Sequence, residues 1–164
     1  MPESFLMREE IWHPLSVHFP IALLLFATII RFLALVLKER QRYIWEALGS
    51  LMLFAGSLLA WLSIYTGGLA DGIVARTLCD PTILKSHEIA AFTMAYLFTS
   101  ASLINLVLLS GKLTVKLLNP LKYALVLVMM AGSGYLTYTA HLGASLVYQQ
   151  GAGVHKPSSD CKDF

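Results

Sequence analysis

Four histidines lie inside the apolar stretches of this chain, and they are the residues with the most chemistry to offer. His13 and His18 fall in Trp12-His13-Pro14-Leu15-Ser16-Val17-His18-Phe19-Pro20, at the start of a long hydrophobic run. His87 opens another run, His141 lies toward the close of the last one, and His155 follows in the tail. A neutral imidazole ligates transition metals and haem iron, and offers one hydrogen-bonding nitrogen on each side of the ring. Polar and helix-disturbing residues are costly inside a bilayer, so their clustering between Trp12 and Pro20 marks a site. No nucleophile motif, phosphate-binding loop or paired carboxylate occurs, and neither His-x-x-x-His nor Cys-x-x-Cys is present. The expected chemistry is ligation and electron transfer, in a redox protein rather than a stand-alone enzyme.

The elements that must position these side chains follow from where charge is missing. The chain has 164 residues, 57% hydrophobic and 13% charged, against about a quarter charged in ordinary soluble domains. Ile11–Ile30, Ala47–Ala70, Ile89–Gly111 and Tyr123–His155 contain no Asp, Glu, Lys or Arg. A hydrocarbon core about 30 Å thick takes roughly 20 helical residues to cross. The expectation is therefore an all-α integral membrane four-helix bundle forming one domain, with spans at about 14–37, 44–66, 81–111 and 121–148. The net charge of +2 carries no basic patch for nucleic acid. Glu3, Arg8, Glu9 and Glu10 before the first run do not make a basic leader, so the first helix is expected to be retained.

Local signals refine the spans. Pro14 suits a first helical turn, with His13 at the cap, and Pro20 withholds a donor from the carbonyl of Ser16. Arg31 is expected to snorkel to the far interface, or to reach a headgroup, a quinone or a neighbouring subunit. Gly49, Ser50, Gly56 and Ser57 suggest a close helix contact. Trp61 and Tyr65 read as an interfacial belt, Thr66-Gly67-Gly68 as a loosened end, and Asp71-Gly72 as a turn. Asp80-Pro81 and Asn119-Pro120 read as helix starts, Gly111 as a stop, and Gln149–Gly153 as the end of the fourth helix. Lys38, Arg40, Arg42, Lys112, Lys116 and Lys122 gather on one side of this topology, which places both termini on the opposite, outer side. Cys79 and Cys161 share that outer side, where a disulfide is one outcome and two free thiols or a metal ligand are others.

An up-and-down bundle puts all five histidines at one end. His18, His87 and His141 then lie one to two turns inside helix ends, at a common level, with His13 nearby. Facing histidines on different helices ligate haem axially, and bundles are a common place for such sites. Ala90, Ala91, Gly134, Thr137, Ala144 and Ser145 leave room for a flat macrocycle, while Trp12, Phe19, Phe92 and Tyr138 are available to cover it. The four ligand candidates His13, His18, His87 and His141 would serve one haem b or two. The alternatives are helix packing through the same small residues, histidines bonded to carbonyls, or a single zinc, copper or iron ion held by three histidines with Asp71 or Glu88.

The opening Trp12–Leu23, of pattern Trp-His-Pro-Leu-x-Val-His-Phe-Pro-Ile-Ala-Leu, resembles the start of a bacterial family of four-span membrane proteins known as domain of unknown function 2231. The likeness extends to His87, to His141-Leu142-Gly143-Ala144-Ser145-Leu146-Val147-Tyr148 and to Gly151–Val154. Gln150 stands where the family often has histidine, so no ligand is carried to that position. The resemblance implies a four-helix fold in the bacterial inner membrane. Through relatives joined to cytochrome c-like domains it favours electron transfer. The expected function is a small b-type cytochrome with His18, His87 and His141 as main ligands and His13 as the fourth. It would exchange electrons between quinol in the bilayer and a periplasmic cytochrome c-like protein. A structural or assembly subunit of a larger membrane complex is the alternative.

Overall fold

A computed structural model describes residues 8–154, which form four long helices and, among the described residues, no strand. After a 3₁₀ turn at Glu9–Ile11 come α1 (Trp12–Ala34) and α2 (Glu39–Val74), a second 3₁₀ turn at Ala75–Thr77, then α3 (Pro81–Leu109) and α4 (Val115–Gln150). Each is long and apolar enough to cross a membrane. Exposed Phe19, Phe26, Phe32, Leu51, Leu58 and Leu127 give the bundle the apolar outer surface that lipid requires.

The order of packing is α1 against α2 and α3 against α4, both extensive, with sparser seams between α2 and α3 and between α1 and α4. The molecule is two hairpins laid side by side. Glycines make the tight contacts. A Cβ at Gly56 would stand 2.7 Å from Leu24 of α1, and one at Gly132 would stand 2.9 Å from Phe98 of α3. Leu24, Leu53, Phe98, Leu125 and Met129 are fully enclosed and contribute one side chain or more from every helix. Hydroxyls stitch the seams. Thr28 Oγ1 lies 3.0 Å from Ser133 Oγ between α1 and α4, and Ser57 Oγ lies 3.0 Å from Ser102 Oγ between α2 and α3.

Some helix ends fall where the local signals place them. Asp80 caps α3 by accepting from the Thr82 backbone N–H at 2.9 Å, Pro81 follows as the first helical residue, and Gly111 and Gly151 take left-handed φ past the ends of α3 and α4. Other signals are overridden. α1 already begins at Trp12, so His13 is inside its first turn rather than at the cap. α4 begins at Val115 and runs through Pro120. α2 begins at Glu39 and continues through Gly67, Gly68, Asp71 and Gly72 to Val74, where the expectation was a loose end and a turn. Gly67 serves as space rather than as a bend, because the His13 ring occupies the place its side chain would take. Trp61 is consequently well inside α2. Its indole N–H donates to Thr99 Oγ1 at 3.0 Å and its ring meets Phe92 and Tyr96 edge-on.

Arg31 differs most from expectation. It does not snorkel to an interface: it is 6% exposed, donates to Asn105 Oδ1 at 2.7 Å, and reaches the Glu46 carbonyl at 3.2 Å. Its aliphatic stem lies where a Gly49 side chain would be. Asn105, on α3, is 0% exposed. A guanidinium in the bundle needs acceptors, and the amide oxygen and carbonyl supply them.

Candidate functional site

The end of the bundle opposite Arg31 holds the histidines, and two of them meet. His13 of α1 and His87 of α3 face each other across the bundle, ring centres 6.1 Å apart and planes at 85°. Their helices are diagonal partners, so the pair sits on the axis. Each imidazole is anchored by the helix beside it. His13 Nδ1 lies 2.9 Å from the Ser63 carbonyl of α2, and His87 Nδ1 lies 3.0 Å from the Thr139 carbonyl of α4. A carbonyl only accepts, so both Nδ1 atoms carry hydrogen, and in the neutral ring Nε2 is left with its lone pair. Metal-ligating histidines are held in this same way by second-shell oxygens.

Glycines clear the ground around both rings. A Cβ at Gly67 of α2 would come 3.1 Å from His13, and one at Gly143 of α4 would come 3.2 Å from His87. Hydroxyls complete the support on the α1–α2 side. Thr66 Oγ1 donates to the Ser63 carbonyl, Ser16 Oγ donates to the His13 carbonyl, and the two hydroxyls lie 3.0 Å apart. Ser63 Oγ is buried there without a partner.

The other two candidates are placed differently. His18 and His141 are exposed, and the ring of three or four inward-facing histidines expected from depth alone does not form. The reason is angular. Residues advance by about 100° around a helix, so His13 and His18 point about 140° apart and cannot both face the axis. His141 is turned about 200° from Gly143, which faces His87. Taking Thr28–Ser133 as the register between α1 and α4, His18 and His141 come within about 3 Å of one level, both on the outer side of that seam. They form an outer couple beside the axial pair.

Among the described residues no group of three or more His, Cys, Asp or Glu side chains converges as a metal site. Asp71 is exposed on α2, and Glu88 is exposed and paired with Lys85 at 2.6 Å, so neither completes the three-histidine ion site considered from sequence. Of the small residues expected to make room, Ala90 is buried and Gly134 has open space beside it. Cys79 is exposed, while Cys161 and His155 lie outside the described residues, as does any bond between the two cysteines. The residues that sequence reasoning missed are the supports: Ser63, Thr66, Thr139, Gly67 and Gly143. Only the two glycines left a signal, a missing side chain at a helix position near a histidine's level.

The family described as "Predicted membrane protein (DUF2231)" matches residues 11–156, and the chain belongs to it. No curated protein and no solved structure matches the chain. The family match and the four apolar helices together make it a multi-pass membrane protein.

Proposed function

We propose that this member of the family is a small membrane cytochrome of b type, in which His13 and His87 hold the haem iron. The observation that carries the reading is the axial pair itself: two imidazoles that meet across the bundle, each oriented by a carbonyl on Nδ1, with no third His, Cys, Asp or Glu converging on them among the described residues. A zinc or copper ion asks the protein for three or four donors. A porphyrin brings four nitrogens of its own and asks only for the two axial ones. The two ring centres stand 6.1 Å apart, and His13 and His87 are the residues that would hold the iron. Gly67 on α2 and Gly143 on α4 give the two imidazoles the room they occupy, and so set the rings that would hold the group. The orphaned Ser63 hydroxyl is a polar atom on α2 still free to bond. The haem supplies a one-electron couple; the chain's own residues fix the ligands and exclude water.

In this reading the protein lies in the bacterial inner membrane with both termini periplasmic, by the bias of Lys and Arg toward the other end. Haem held by His13 and His87 would lie near the periplasmic face and would supply a one-electron couple between a membrane donor such as quinol and a cytochrome c-like acceptor. His18 and His141, at one level on the outer side of the α1–α4 seam, are the ligands for a second haem. A second reading has its own support: the two rings meet edge to face at a distance ordinary for aromatic contact, and both are satisfied by carbonyls. The pair then only joins the hairpins, in a structural or assembly subunit of a larger membrane complex.

The visible spectrum of detergent-purified protein, oxidised and then reduced with dithionite, separates the two. Sharp low-spin bands with one or two haems per chain are expected. A colourless, folded protein from cells supplied with haem would overturn the cytochrome reading and leave the structural one.

A further inference from the structure

The end of the bundle away from the histidines holds a second concentration of unusual groups. Arg31 is buried and its bonds go only to neutral oxygens, those of Asn105 and the Glu46 backbone. Glu46 is the carboxylate beside Arg31, Arg42 and Lys122, and Lys122 takes it at 2.7 Å across the α2–α4 contact. Arg42 donates through Nη2 to the Leu37 carbonyl at 2.8 Å, at the turn after α1, while its Nε is buried without a partner. Asn105 Nδ2 is likewise buried and unpartnered. Arg31, Arg42 and Lys122 thus set three cations against the one Glu46 carboxylate, with two buried nitrogens unpartnered.

A cleft of about 240 Å³ opens among these groups, lined by Arg42, Glu46, Asn119, Lys122 and Tyr123. It lies between the start of α2 and the start of α4, at the end of the bundle away from the histidines. Lys38, Lys112 and Lys116 stand in the adjoining turns and helix starts. Its walls are mostly polar, and its charge is unbalanced toward positive. A partly buried guanidinium and an ammonium side by side are stable when an anion lies between them.

We propose that this cleft binds a phosphate-bearing anion, with Arg42 and Lys122 as its charged partners. At this depth the natural source is the phosphodiester of an anionic lipid, whose headgroup basic pockets between membrane helices recognise. Free inorganic phosphate offers the same chemistry. The inference is independent of the haem and of the histidine end.

Native mass spectrometry of the full chain in detergent, with phosphatidylglycerol and phosphatidylcholine of matched chains supplied together, tests it. Wild-type protein is expected to retain phosphatidylglycerol over phosphatidylcholine by about fivefold or more. Arg42→Gln and Lys122→Gln, each checked for a monodisperse gel-filtration peak, are expected to bring that ratio close to one. Millimolar inorganic phosphate then distinguishes the sources. Displacement of the lipid shows a site for phosphate as such, and persistence shows a site for the lipid headgroup. A wild-type ratio near one, or a wild-type ratio preserved in both variants, would overturn the proposal.

Discussion

The two ends of this bundle solve the same problem with different materials. Each must keep polar side chains inside a membrane protein with few of their atoms left unbonded. The histidine end does it with neutral groups: imidazoles bonded to carbonyls of the neighbouring helix, and hydroxyls bonded to carbonyls of their own. The other end does it with charge, placing Arg31 on Asn105 and Lys122 on Glu46. Neutral groups hold a geometry while leaving a lone pair on each ring free, as a ligand site requires. Charged groups hold helices together strongly and are costly to disturb, because whatever remains after a substitution is an unpaired charge or dipole. The difference teaches that polar residues in membrane helices serve two ends, and that what each is bonded to tells them apart.

The largest expected effect breaks the comparison at the histidine end. His13→Ala or His87→Ala should remove nearly all haem of the axial site while the bundle stays folded, read from the reduced spectrum and haem content per chain. His18→Ala and His141→Ala should leave that site's spectrum in place. Loss of all haem in the outer variants and none in the inner ones would reverse the assignment.

At the charged end the expected effect is on stability. Arg31→Met leaves the Asn105 amide oxygen with only Ser50, and Asn105→Leu leaves the guanidinium with only the Glu46 carbonyl; each should cost about 1–3 kcal/mol. Unfolding in mixed detergent micelles, followed by tryptophan fluorescence, measures it. A cost near zero would show that water or lipid reaches Arg31 freely, and the contrast between the ends would fail.

Smaller effects sharpen the picture. Gly56→Ala forces a methyl group against Leu24 and should cost about 1–3 kcal/mol. Gly68→Ala meets nothing within 4 Å and should instead stabilise by roughly 0.5–1 kcal/mol, since the helix gains a better former. The smallest difference compares two ion pairs. Lys85→Ala removes an exposed pair within one helix and should change stability by less than about 0.5 kcal/mol, while Lys122→Ala removes a half-buried pair between helices and should cost about 1 kcal/mol. Both are read in the same unfolding assay.

Much of the fold was legible because charge-free runs of membrane length have few other uses. The start of α3 was equally plain, since Asp80 and Pro81 act through the backbone of their own turn. Gly67-Gly68 was misread as a helix end because a glycine's role depends on what lies opposite it, and the imidazole of His13 comes from another helix. Arg31 was misread for the same reason: its partner Asn105 is on α3, and nothing near residue 31 announces it. The histidines sit between these cases. Their common end followed from topology. Their division into an axial pair and an outer couple was already implied by the five-residue spacing of His13 and His18, but finding which one faces inward needed the register of the neighbouring helices.

The arrangement of two hairpins with sparse seams between them bears on how the molecule is made. The first hairpin leaves the ribosome with Arg31 already inside it, while Asn105 has yet to be synthesised. During that interval the guanidinium is not abandoned, because the Glu46 carbonyl belongs to the same hairpin. The second hairpin then delivers Asn105 to Arg31 at one end and His87 to His13 at the other. Docking of the halves and completion of the axial pair are therefore one event, and any group that both histidines hold becomes a clasp on the finished protein.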